Sequence, residues 1–223
     1  MTDPQKAFTS SPDSSRAPGF PRINFPRLRW LALAWLAVWI PAYWRAWGWQ
    51  NFLHLCDIAV ILSCVGIVFG SRLLISSQAL ATLVPAIVWS LDAGWRLFFD
   101  HNLIGGTEYL WDASHPLWVR LLSLFHIGLP ILLVALCARI GYDRRALALQ
   151  STITVAFMAV SRLMGTALNL NYAFLDPIFH RALGPAPLHV AIIFAGAVLL
   201  FYLPAHILLA WKFAGRKNTN RTH

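Results

Sequence analysis

Charge is what this sequence has least of: 12% of its 223 residues are Asp, Glu, Lys or Arg, about half the share of an ordinary soluble domain. With 58% hydrophobic residues, a soluble globule of this length could not keep its apolar surface out of water, which excludes that class. Acidic residues are scarcer still, 9 against 18 basic ones, for a formal net charge of +9. Such a surplus suits nucleic acid when Lys and Arg line one face or strip. Here they punctuate apolar runs, so topology explains them better and no nucleic-acid partner is implied. Cysteine is also rare. Cys56, Cys64 and Cys137 all sit in apolar segments, at spacings that match neither a zinc motif nor a disulfide framework. No cofactor is called for on that basis.

Tryptophan, by contrast, is abundant, with 11 copies, many near the ends of apolar runs. Together with a mean hydropathy of +0.58, this predicts an all-α, polytopic membrane helix bundle with aromatic belts at its interfaces. Six transmembrane helices are expected at about 30–47, 51–70, 73–99, 117–139, 146–168 and 188–211, each near the roughly 20 residues a bilayer requires. The third is long and contains Pro85, so a tilt, a kink or an interfacial start at Ser76, Ser77 and Gln78 is expected. Residues 1–29, rich in Pro, Ser and Arg, read as a flexible cytoplasmic tail; 30–211 form the membrane domain and 212–223 a basic cytoplasmic tail. With the N-terminus cytoplasmic, that side collects the basic residues of both tails together with Arg72, Arg139, Arg144 and Arg145. The other side holds Arg45, Arg96 and Arg181. The asymmetry predicts an N-in, C-in protein of the plasma (inner) membrane.

Ionisable groups inside spans are costly and mark function or pairing. In this topology His54, Cys56 and Asp57, then Asp92 and Arg96, then Arg120, Ser123 and His126, then Arg162, Asn169, Asn171 and Tyr172 all fall in the outer half. The inner half holds chiefly Gln150 and His206. One polar chamber open to the outer leaflet is the economical reading. Asp92 and Arg96, four apart with the acid first, are placed to form an ion pair. His54 and Asp57, three apart, are placed to orient each other or share a metal. Cys56 and His126 fall at matching depths of roughly 10–14 Å, where an imidazole can deprotonate a thiol to a nucleophile. The alternative for Cys56 is packing as a small hydrophobe, the role assigned to Cys64 and Cys137. Asp57, about 100° round the helix from Cys56, is expected to steady a neighbour rather than touch the sulfur.

Three stretches resemble the YwaF-like family of bacterial integral membrane proteins, whose eukaryotic relative is a transmembrane acyltransferase acting on ether phospholipids. They are Leu53-His54-Leu55-Cys56-Asp57-Ile58, then Leu122-Ser123-Leu124-Phe125-His126-Ile127-Gly128, then Asn171-Tyr172-Ala173-Phe174-Leu175 followed by Leu183-Gly184-Pro185-Ala186-Pro187 and a last helix with Tyr202-Leu203-Pro204. Order and approximate spacing agree over residues 50–210. The resemblance implies Cys56 as acyl-accepting nucleophile, His126 as its base and a membrane phospholipid as substrate. The chain departs from the pattern at His101–Pro116, an acidic insert-like loop that would cover the chamber mouth. Under this reading Asn171 or Tyr172 would donate to the oxyanion, and Arg162, Arg120 and Arg181 would hold a phosphate. His54, Asp57, Asp92 and Arg96 would support the site.

Two other functions compete. A metal-dependent membrane enzyme would draw ligands from His54, Asp57, His101, His115, His126, His180 and His189, although these form no tight His-x-x-x-His set. A small-molecule or lipid transporter, or a partner subunit, would need a polar path joining both faces, with Gln150 and His206 completing it.

Overall fold

The computed structural model describes residues 25–214. Most of the tail expected over 1–29, and most of that over 212–223, lies outside the described residues. Six helices run through the described chain: α1 Leu28–Trp47, α2 Leu55–Val68, α3 Arg72–Phe99, α4 Leu117–Ile140, α5 Ala146–Leu163 and α6 Ala186–Phe213. No strand occurs among the described residues. Four of them, α3 to α6, are long and apolar enough to cross a membrane. α1 has the length but carries Arg29, Arg45 and Trp30, Trp35, Trp39, Trp44 and Trp47, side chains that favour the interface over the hydrocarbon centre. α2 is 14 residues long and is preceded by a single 3₁₀ turn, Trp49–Leu53, where the sequence predicts one continuous span.

The breaks have local causes. α1 ends at Gly48, whose φ of 80° is in the region only glycine enters freely. Gly66 lets α2 approach α3 closely: an added Cβ would stand 3.1 Å from Leu74 Cβ and 3.3 Å from the Ile75 backbone nitrogen. Ser71 then caps α3, its Oγ accepting from the Leu74 amide at 3.3 Å. α5 stops at Leu163 rather than at 168 as expected, because Gly165 takes a positive φ of 87° and ends the α-helical path. α6 contains a π-helical turn over Ala197–Tyr202.

Contacts between helix termini define two ends of the bundle. The Cys56 end gathers the C-termini of α1, α3 and α5 and the N-termini of α2, α4 and α6; the Cys137 end gathers the opposite termini. α3 is the central helix, packing on α2, α4, α5 and α6. The main apolar core lies towards the Cys137 end, around Ile67, Ile75, Leu80, Leu133, Leu136 and Leu209. A smaller aromatic cluster of Trp39, Tyr43, Val60 and Phe125 lies towards the Cys56 end. The exterior is apolar, with Leu163 85%, Trp211 82% and Phe98 80% exposed, the reverse of a soluble monomer.

The Cys137 end is more polar inside than the sequence suggests. Ser76, Ser77 and Gln78, in the first two turns of α3, are buried among the helices. Ser77 Oγ donates to Gln150 Oε1 at 3.0 Å, Gln78 Nε2 donates to Ser77 Oγ at 3.1 Å, and Thr154 Oγ1 meets the Tyr202 hydroxyl at 2.9 Å. α3, α5 and α6 thus pair their polar side chains with one another, which is how such groups are accommodated away from water.

In the loop between α4 and α5, the Asp143 carboxylate accepts from Arg145 Nε at 3.1 Å and Nη2 at 2.8 Å. The Arg145 guanidinium holds that carboxyl below its ordinary value. A depressed folded-state value contributes stability above the unfolded carboxylate value near ~4, lost as pH falls through the folded one. Asp143→Asn is therefore expected to lower the melting temperature at neutral pH by a few degrees, for a loss of up to about 1 kcal/mol. The gap to wild type should close in strong acid; melting curves in mild detergent from pH 7 to pH 3 check this.

Candidate functional site

The polar groups of the Cys56 end come from every helix. Cys56 and Asp57 sit in the first turn of α2, where side chains lean back toward the helix N-terminus. That lean brings the buried Asp57 carboxylate to the sulfur after all: Cys56 Sγ donates to Asp57 Oδ1 at 4.0 Å. The other carboxylate oxygen accepts from Asn51 Nδ2 at 2.5 Å. His54 is half-buried, and its imidazole has no hydrogen-bond partner among the described residues, so the expected His54–Asp57 contact is replaced by Asn51–Asp57. Cys56 is half-buried against the aromatic cluster, whereas Cys64 and Cys137 are buried in the main core.

His126 is held on three sides. Its ring stacks on Trp89 at 4.7 Å with 7° between planes and on Phe125 at 4.1 Å. Its Nδ1 lies 2.8 Å from the Ser123 carbonyl. A carbonyl can only accept, so Nδ1 carries the proton and Nε2 presents its lone pair. No hydrogen bond joins His126 to Cys56; Phe125, on which His126 stacks, belongs to the aromatic cluster that Cys56 packs against.

That cap is the 101–116 loop. The Tyr109 hydroxyl accepts from Trp89 Nε1 at 3.0 Å, so a residue of the loop orients the ring that stacks on His126. Tyr43 and Ser123 hydroxyls meet at 2.6 Å beside it. Burial pushes the Tyr109 and Tyr172 phenols above their ordinary range, and a thiolate on Cys56 would raise both further. Both stay neutral donors within electrostatic reach of the sulfur.

Asp92 fixes the cap to α3. Its carboxylate, buried, accepts from the Ile104 amide at 2.6 Å, the Gly105 amide at 3.0 Å, Asn102 Nδ2 at 2.7 Å and the Thr107 hydroxyl. The expected ion pair with Arg96 does not form. Asn102 stands between them, its Oδ1 accepting from Arg96 Nη1 at 2.5 Å, because the loop offers Asp92 a full set of neutral donors.

The chain matches no family model, no curated protein and no solved structure. The chemistry of the site therefore rests on its own residues.

The Asn171 amide spends its donors and acceptor within the chain. Its Oδ1 accepts from the Leu55 amide at 2.8 Å, and its Nδ2 donates to the Leu53 carbonyl and to Ser161 Oγ, both at 2.9 Å. It pins the start of α2, next to Cys56, to α5. Tyr172 is 43% exposed and takes a positive φ of 57°, leaving its hydroxyl without a hydrogen-bond partner among the described residues. Arg162 donates to the Ala173 carbonyl at 3.1 Å and lies over Phe174 at 3.9 Å; Arg120 donates to the Leu110 carbonyl at 2.8 Å.

Among the described residues no three His, Cys, Asp or Glu side chains form a group that could hold a metal ion. Two of the candidate histidines have both ring nitrogens occupied. His189 receives the Leu183 amide on Nδ1 and donates from Nε2 to the Tyr172 carbonyl. His101 donates from Nδ1 to the Phe99 carbonyl and accepts Trp95 Nε1. The residues that sequence reasoning missed are Tyr43, Asn51, Trp89, Asn102, Thr107 and Tyr109. Their one sequence-level signal is a polar tip, and all but Trp89, which lies inside α3, fall near an end of a span or in the loop between two.

Proposed function

We propose that the chain is a six-span integral membrane protein of the plasma (inner) membrane, both termini cytoplasmic, that moves acyl chains between phospholipids through Cys56. The resemblance to YwaF-like proteins and the partition of basic residues support this reading. The observation that carries it is the His126 imidazole: clamped between two rings, its tautomer set by Ser123 and its Nε2 lone pair unclaimed, at the same end as the one cysteine outside the main core.

In the forward step the Cys56 proton passes to His126 Nε2 and the sulfur attacks the ester carbonyl of a phospholipid. The new S–C bond places negative charge on the former carbonyl oxygen, where Tyr172 is the free donor. Collapse breaks the ester C–O bond, and the departing alkoxide takes the proton from His126, leaving a lysolipid and a Cys56 thioester. In the second step a lysolipid hydroxyl, or water, gives its proton to His126 and attacks the thioester. The thiolate leaves and recovers that proton. Arg120 and Arg162 carry positive charge for the phosphate.

Wild type, Cys56→Ala and His126→Ala, expressed in a host membrane, test this. Labelling by an acyl-mimicking thiol probe is expected to vanish in Cys56→Ala and fall at least tenfold in His126→Ala, with altered lipid acyl composition only in wild type. Identical lipidomes together with an unlabelled wild-type Cys56 would sink the proposal. A second reading, transport, gains from the polar side chains buried at the Cys137 end, since they extend polar groups through both halves. Flux of a substrate that survives Cys56→Ala would favour it.

A further inference from the structure

Two arginines reach the cap from different helices, and neither meets a counter-charge. Arg96, near the end of α3, spends Nη1 on Asn102 and lays its guanidinium 4.8 Å from the centroid of the Trp111 ring. Arg120, in the first turn of α4, spends Nη1 on the Leu110 carbonyl. They thus touch consecutive residues of one turn from two helices. The Nε–H of each is buried without a hydrogen-bond partner among the described residues. Neither has a carboxylate within ion-pair distance among the described residues. Asp92, four residues before Arg96, is filled by neutral donors. Asp112 lies within electrostatic reach of Arg120 but caps the Ser114 amide.

Charges half-withdrawn from water are costly unless paired. A guanidinium with free N–H groups is the side chain best shaped to take a phosphate. The surroundings say what kind of phosphate compound fits. Leu97 is 70%, Phe98 80% and Leu103 51% exposed, so the exposed surface at this end of α3 and the start of the loop is apolar, fit for acyl chains rather than for a soluble ester.

We propose that Arg96 and Arg120, astride the Leu110–Trp111 turn, bind the phosphate of an anionic phospholipid headgroup. The site rests on the reading proposed above, sharing Arg120 with its phosphate role, but lipid retention there needs no reaction at Cys56. It adds a substrate preference: lipids whose headgroup carries net negative charge over zwitterionic ones.

The full chain, purified in mild detergent, is incubated with phosphatidylglycerol or phosphatidylcholine, and retained lipid is read by native mass spectrometry. Wild type is expected to retain phosphatidylglycerol about tenfold better. Arg96→Gln and Arg120→Gln should each cut that retention at least fivefold, and Arg96→Lys should recover part of it, since charge remains and the planar fork is lost. Arg139→Gln at the opposite end should change nothing, and neither should Cys56→Ala, which separates failure of this site from failure of the acyl-transfer reading. Equal retention of the two lipids by wild type overturns the proposal without any variant. So does an unchanged preference in the double Gln variant. Displacement of bound phosphatidylglycerol by low-millimolar inorganic phosphate would overturn the lipid assignment in favour of a soluble phosphate compound.

Discussion

Asp92→Ala is expected to release the cap from the bundle. The carboxylate accepts from the Ile104 and Gly105 amides and also from Asn102 and Thr107. Removing it strands several donors in a buried place, a class of change that costs about 3–5 kcal/mol when the groups cannot reach water. Here they can, because the loop lies at the end of the bundle and can lift away. The loss should then appear as local opening, not global unfolding. Hydrogen exchange of the Ile104 and Gly105 amides should speed up on the order of a hundredfold, while amides in the middle of α3 and α4 keep their protection. Asp92→Asn, which keeps one good acceptor, should fall between. Because Tyr109 orients Trp89, and Trp89 stacks on His126, the same change should reduce thiol-probe labelling at Cys56. Unchanged exchange at Ile104 would mean that the latch holds nothing.

Trp39→Ala should have the largest effect on global stability. Trp39 is fully buried and makes ring contacts with Tyr43 at 4.6 Å, Phe52 at 5.4 Å and Phe125 at 5.8 Å. Truncating a buried Trp costs about 3–5 kcal/mol, or roughly 10 °C in melting temperature for a chain of this size. Trp39→Phe gives the contrast. The indole Nε1 has no hydrogen-bond partner among the described residues, so losing it removes an unsatisfied donor, and the cost should stay below about 1.5 kcal/mol. Melting curves of both variants decide the matter. If Phe is as damaging as Ala, the indole N–H is bonded after all.

The helices were legible because length and apolar content mark them, and four of the six boundaries at which they meet the Cys56 end fall within two residues of expectation: 47, 99, 117 and 186. What was hidden depends on rotamers and on loops. The reach of Asp57 back to Cys56 follows from how its side chain leans in the first turn of a helix, which 100° of separation does not disclose. Asp92 was read against its helical neighbour Arg96, while its real partners lie 10 to 15 residues away in a loop with no periodicity to betray them. Nothing local in the sequence distinguishes Ser77 and Gln78 from side chains that face water. Only the facing Gln150 of α5 explains their burial.

The π-helical turn in α6 has a consequence for how the chain tolerates change. One additional residue per turn rotates everything beyond it by about 100° relative to an uninterrupted α-helix. The half that carries His189 and the half that carries Tyr202, Ala205 and Leu209 therefore keep separate phases. Deleting a single residue from 197–201 would leave composition and hydropathy almost untouched, yet it would swing Tyr202 away from Thr154 and turn Leu209 out toward lipid. Registration, not apolarity, is what that stretch encodes.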